Sequence, residues 1–223
     1  MVDHRGHRQR MKDRFLSEGM DAFSVFQVLE MLLFFGVPHK DTNGLAHALL
    51  ERFGSLSGVF NASHHELLEV PGLGPHAATL ICMVPGLARR YATDRWKDKT
   101  QITDSKKAAA YAASLFVGVE YEVFYMICLD SQNHVIMPVL ISRGTINEAM
   151  VYPRAIIENA LRHKASVVIL THNHPGGSTE PSAADAHMTK KLSAALETIS
   201  VNVMDHIIIA GKNYTSLAEK RML

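Results

Sequence analysis

Apolar positions in the first ninety residues recur at helical spacing. Phe15 to Met20 and Val25 to Phe35 show the pattern, and Asp41 to Phe53 continues it with Leu45, Ala48, Leu49 and Leu50. Ser55-Leu-Ser-Gly and Asn61-Ala-Ser punctuate the run as helix starts. No useful length alternates with period two, so an all-α N-terminal part is predicted. Composition shifts at Arg89-Arg-Tyr-Ala-Thr-Asp-Arg-Trp-Lys-Asp-Lys99, a polar stretch that reads as a linker or an exposed helix end. From Arg89 to Lys107 there are seven Lys or Arg against three Asp, a local basic patch. A solvated linker explains it, and so does contact with nucleic acid.

Beyond this patch strands alternate with helices. Ser105 to Val117 reads as a helix, Val123 to Leu129 as a buried strand, and Asp130-Ser-Gln-Asn133 as the turn after it. His134 to Arg143 suggests a second strand, and Pro153 to Arg162 a helix with Pro in its first turn. Ser166 to Thr171 is apolar almost throughout, as a strand covered on both faces should be. Ser182 to Ile199 is helical and Asp205 to Ala210 is a further strand. The pattern predicts a helical domain over residues 1–98 and an α/β or α+β domain on a mixed sheet over 99–223.

Composition narrows the function classes only slightly. With 47% hydrophobic and 20% charged residues and a formal charge of +1, the 223-residue chain is ordinary for a soluble globular protein. Its overall charge makes no case for a nucleic-acid partner. The most apolar early run, Val25 to Val37, is interrupted by Gln27 and Glu30 and is too short to span a bilayer. The charged N-terminus is not followed by a secretory apolar core. Cys82 and Cys128 lie far apart in apolar runs and read as small buried hydrophobes in a reducing compartment. A cytoplasmic protein is expected.

The chemistry concentrates in Leu170-Thr-His-Asn-His-Pro-Gly-Gly-Ser-Thr-Glu-Pro-Ser-Ala-Ala-Asp185. On extended backbone, residues two apart share a side, so His172 and His174 project together at a strand end. Imidazole is the commonest protein metal ligand. The turn Pro175-Gly-Gly177 reverses the chain, and a helix starting at Ser182 presents Asp185 in its first turn as a third ligand. Two His and one carboxylate leave one tetrahedral position open, the pattern of a catalytic zinc. Zinc in such a site lowers the pKa of water towards about 7. Ser182-Ala-Ala-Asp185 is also a good helix N-terminus, with Ser as N-cap and an acid at the third helical position. The two roles of Asp185 compete in part, since a carboxylate on a metal is less free to reach back to the N-cap amide.

His-x-His-Pro, six residues, then Ser-x-x-Asp resembles the signature of the JAMM (MPN-plus) metalloproteases, with His172, His174, Ser182 and Asp185 filling its fixed positions. The resemblance implies one zinc per chain and hydrolysis of peptide or isopeptide bonds. It also implies an upstream glutamate as general acid/base, for which Glu122 is the best placed and Glu120 the alternative. By the same pattern Ser182 would donate to the oxyanion. Glu122-Val-Phe, Cys128-Leu-Asp130, Arg143-Gly-Thr145, Tyr152-Pro-Arg154, His172-Asn-His-Pro175, Pro181-Ser-Ala-Ala-Asp185 and Asp205-His-Ile207 follow in the order of bacterial RadC-like proteins. His7-Arg-Gln-Arg10, Asp41-Thr and Arg52-Phe-Gly-Ser-Leu56 extend the likeness across nearly the whole chain. It implies an N-terminal helix-hairpin-helix domain, a C-terminal MPN/JAMM-type (cytidine-deaminase-like) mixed-sheet domain, and an association with DNA repair.

Gly72 and Gly74 mark the hairpin candidate, Leu68-Glu-Val-Pro-Gly-Leu-Gly-Pro-His-Ala-Ala78. Backbone N–H groups of such a turn can approach a phosphate. Pro75 and His76 stand where a DNA-gripping hairpin usually carries Lys or Arg, and a turn that only packs two helices explains the glycines equally well. His206, beside Asp205, reads as a core histidine bonded to a neighbour. His64, His65 and His187 read as surface residues or as pointing away from the metal ligands. Three function classes follow: a zinc metallohydrolase, a DNA-binding module with structural or vestigial zinc, and a metal-dependent nuclease. The completeness of the ligand set favours the first.

Overall fold

The computed structural model describes residues 6–38, 40–96, 100–144 and 151–223. Lys97 to Lys99 of the basic stretch and Thr145 of the family-like segments lie outside them. The chain divides into two compact units, Met1–Leu87 and Ala88–Leu223, the division falling inside one long helix.

The first unit is helical, as the apolar spacing predicts. Its helices are α1 (His7–Glu18), α2 (Val25–Gly36), α3 (Asn43–Phe53), α4 (Leu56–Asn61), α5 (His64–Leu68) and the start of α6 (Pro75–Asp94). Ser24, Ser55 and Ser63 each accept a first-turn amide, and Ser24 and Ser63 complete capping boxes with Gln27 and Glu66. Leu29, Leu33, Leu49, Leu67 and Ile81 are wholly buried at the centre of the core. Gly36 marks a close helix approach, because a Cβ there would stand 2.8 Å from Ala77 Cα. The Glu30 that interrupts the apolar run is buried and pairs with His7 at 3.3 Å. Arg8 closes the end of α2 by donating to the carbonyls of Phe34, Val37 and Lys40. Gly72, at φ +90°, lies in the turn between α5 and α6, and the Gly74 carbonyl accepts the Ala78 amide of α6.

The second unit is a five-stranded mixed sheet covered on both faces. Its strands are β1 (Val123–Leu129), β2 (Val135–Arg143), β3 (Val167–Asn173), β4 (Asn202–Ala210) and β5 (Asn213–Ser216), in the order β2-β1-β3-β4-β5. Among the described residues only β3 and β4 pair in parallel. The remaining helices are α7 (Ser105–Leu115), α8 (Pro153–Arg162) and α9 (Ala183–Glu197). Alternation along the strands sorts the two cores. Val123, Ile127, Ile169 and Ile207 pack with Ala108, Ala112 and Leu115 of α7. Phe124, Met126, Val168 and Leu170 pack with Ile156 of α8 and Leu192 and Leu196 of α9.

Two sequence expectations change here. Arg89 to Asp94 continues α6, which selects the helix-end reading over a linker, and Trp96 packs edge-on against Tyr111. β5 has no counterpart among the expected strands. It is four residues long, follows the tight turn Gly211-Lys212, and only Thr215 and Ser216 are buried. Among the described residues no helix is long and apolar enough to cross a membrane.

Candidate metal centre

β3 feeds α9 through the loop from His174 to Ser182, and α9 leads back to the parallel strand β4. In open α/β sheets the crevice beyond the carboxyl ends of such strands is the usual ligand position. The chemistry of the chain converges there.

His172 is the penultimate residue of β3 and is buried under the Phe124 ring, 6.1 Å between centroids and near parallel. His174 follows on the same side, and the two Nε2 atoms are 2.9 Å apart. The Gly177 amide returns to the His174 carbonyl at 3.1 Å, at a φ of +88° that suits glycine. That turn sets the Ser178 carbonyl 2.8 Å from His174 Nδ1. A carbonyl only accepts, so Nδ1 carries a proton and Nε2 is the ring atom left to face His172.

Asp185 sits at the third position of α9 and divides its two oxygens. Oδ2 accepts the Ser182 amide at 2.8 Å and the Ser182 hydroxyl at 2.6 Å, while Ser182 Oγ accepts the Asp185 amide at 3.1 Å. Oδ1 faces His172 Nε2 at 3.3 Å. The capping oxygen Oδ2 also lies 3.8 Å from His174 Nε2, so cap and ligand roles are shared between the two oxygens, with Oδ1 left free of the cap.

The ligand atoms of His172, His174 and Asp185 all lie within 4.8 Å of one another. Donors at zinc bond lengths in a tetrahedron stand about 3.3–3.6 Å apart. The 2.9 Å and 3.3 Å separations lie close to that range, and two imidazoles with one carboxylate are a zinc-type donor set. The residues fit the ion. Burial, opposed by Asp185 and reinforced by His174, lowers the His172 pKa to about 4, so at neutral pH its ring is unprotonated as a ligand requires.

Glu122 and Glu120 differ in exposure. The β1–β3 register ends with Phe124 paired to His172, and Glu122 immediately precedes the first residue of β1. Glu122 is half-buried, and its carbonyl accepts the Gly144 amide at 2.8 Å. Glu120 is exposed and lines a cavity of about 580 Å³ that also takes in Asn173, His174 and Pro175. Gly72 and Gly74 belong to the other unit.

Sequence reasoning missed Asn173 and Thr189 here, and it read His206 as the bonded core histidine that it is, without its link to His172. Asn173 lies between the two histidines and brackets Glu122: its Oδ1 accepts the Val123 amide at 2.7 Å and its Nδ2 donates to the Tyr121 carbonyl at 2.9 Å. His206 on β4 contacts His172 Nδ1 at 2.8 Å, and Thr189 on α9 contacts His206 at 2.6 Å. A polar residue inside His-x-His hinted at Asn173, and the Asp205-His206 pair hinted at a bonded core histidine. Thr189 gave no signal beyond standing one helical turn after Asp185.

Comparison with known proteins finds two families along the chain. Residues 102–222 match the RadC-like JAB domain, and residues 3–79 match the UPF0758 N-terminal family. A UPF0758 protein of Variovorax paradoxus (strain S110) is 40% identical over 218 residues, covering 96% of each chain. Another, of Pseudoalteromonas translucida (strain TAC 125), is 36% identical over 215 residues, also covering 96% of each. On domain content and full-length similarity together, the chain belongs to the UPF0758 family and carries a RadC-like JAB domain.

Proposed function

We propose that this protein is a zinc-dependent hydrolase of amide bonds, acting on a peptide or isopeptide substrate. The observation that carries the reading is the convergence of half-buried His174 with buried His172 and Asp185, where β3 meets the start of α9. Zinc held by these residues supplies a Lewis acid that polarises a carbonyl and lowers the pKa of water towards about 7. Glu122 takes the proton of the attacking water and returns it to the leaving amine. Its half-burial beside β1, with Asn173 bonded to the backbone on either side of it, supports that role, and Glu120, which shares a cavity with His174, is the alternative.

Ser182 is exposed, and its hydroxyl donates to Asp185 in the resting site. To stabilise an oxyanion that hydroxyl must turn towards substrate, leaving Asp185 Oδ2 with the Ser182 amide. The substrate is a peptide or protein, and the two free thiols suit a cytoplasmic setting.

The test is Glu122→Gln assayed on peptide and isopeptide libraries with zinc supplied. The expected result is a full zinc complement and turnover reduced by about 10²- to 10⁴-fold. Unchanged turnover in the variant would remove Glu122 from the mechanism. Hydrolysis of nucleic acid in place of amides would replace the substrate class with that of a nuclease.

A further inference from the structure

The ring nitrogen of His172 turned away from the metal position begins a buried hydrogen-bond chain that ends at another ligand. His172 Nδ1 meets His206 Nε2 at 2.8 Å, and His206 Nδ1 meets Thr189 Oγ1 at 2.6 Å. Thr189 Oγ1 lies 2.6 Å from the Asp185 carbonyl. His172, His206 and Thr189 are each at most 1% exposed, so water does not compete for these contacts.

The direction of each bond follows from the far end. The Asp185 carbonyl can only accept, so the single Thr189 hydroxyl proton is committed to it. Thr189 oxygen must then accept from His206, which fixes the proton on His206 Nδ1. One proton remains between His206 Nε2 and His172 Nδ1. Placing it on His206 would make a wholly buried imidazolium, which desolvation opposes. It therefore sits on His172 Nδ1, and His172 Nε2 is left as a lone pair aimed at His174 and Asp185.

We infer that His206 and Thr189 are positioning residues that fix the tautomer and ring angle of His172 through a relay anchored on Asp185. The inference rests on the metal reading of the site. β4 holds the relay in register: Asp205 accepts the His206 amide at 2.7 Å, the Ala218 amide at 3.0 Å and the Ser216 hydroxyl at 2.6 Å. Those contacts tie the β5 hairpin to the back of the metal centre. The Asp205-His206 pair thereby acquires a role in the site.

The experiment combines nitrogen-detected NMR of the histidine rings in the metal-free protein with zinc affinity by chelator competition. The wild type should show both His172 and His206 as the Nδ1–H form. Thr189→Val keeps the side-chain shape but removes the hydroxyl, and zinc affinity should fall by about 10- to 100-fold. Thr189→Ser restores the hydroxyl and should bind nearly as tightly as wild type. His206→Gln can accept from His172 and donate to Thr189, and should bind more tightly than His206→Phe. Wild-type affinity in Thr189→Val, or an Nε2–H form for either ring, would overturn the relay. A wild type that takes up no zinc would overturn the metal reading instead, and the tautomers of the metal-free protein would still decide the relay.

Discussion

At the scale of single residues, the divided carboxylate of Asp185 gives Ser182 two separable duties. Ser182→Ala removes the N-cap of α9 and one of the two donors to Asp185 Oδ2, but leaves Oδ1 facing His172. Stability should fall by about 1 kcal/mol in urea unfolding, with zinc still bound. Loss of all zinc would show that the hydroxyl is needed to orient the ligand. His172 makes a pH prediction for the metal-free protein. Its folded pKa of about 4 lies below the ordinary 6.5, so between those values the unfolded chain binds the proton first. The neutral ring's full stability is therefore present above pH 6.5 and is lost as pH falls towards 4, and wholly buried His206 adds in the same direction. The urea midpoint of chelator-treated protein should drop more between pH 7.5 and 5 than that of His172→Gln. Equal drops would remove His172 as the source.

Among elements, legibility tracks how local the determinants are. The strand Val123–Leu129, the helix opened by Ser182 and the three ligand candidates were legible because each rests on a short pattern: an apolar run, a cap, and one motif within fourteen residues. β5 was not, since its four residues owe their conformation to pairing with Ile207–Ala210. His206, Thr189 and Asn173 were readable as residues but not as parts of the site, because their partners lie 34, 17 and 50 positions away in sequence. Close packing of helices was equally hidden. At Gly36 the Ala77 backbone leaves no room for a side chain. Gly36→Val should force α2 from α6 and destabilise the first unit by roughly 1–3 kcal/mol. Zinc content should be unchanged, since every ligand lies in the second unit; an unaltered unfolding midpoint would show that the contact relaxes freely.

For the whole molecule, two compact units and two family matches describe one chain whose proposed chemistry resides in the second. A ligand that binds only the folded state stabilises it, by about 2.7 kcal/mol at a hundredfold excess over its dissociation constant. Zinc added to metal-free protein should therefore raise the unfolding temperature of the unit that holds His172, and Asp185→Ala should abolish the rise. The most direct test of the account is the metal content of purified wild type beside His174→Ala and Asp185→Ala. The account predicts about one zinc per chain in the wild type, from the one three-ligand site among the described residues, and its loss in both variants. A wild type that takes up no zinc even after supplementation would contradict it, and would leave Ser182-Ala-Ala-Asp185 as a helix cap alone.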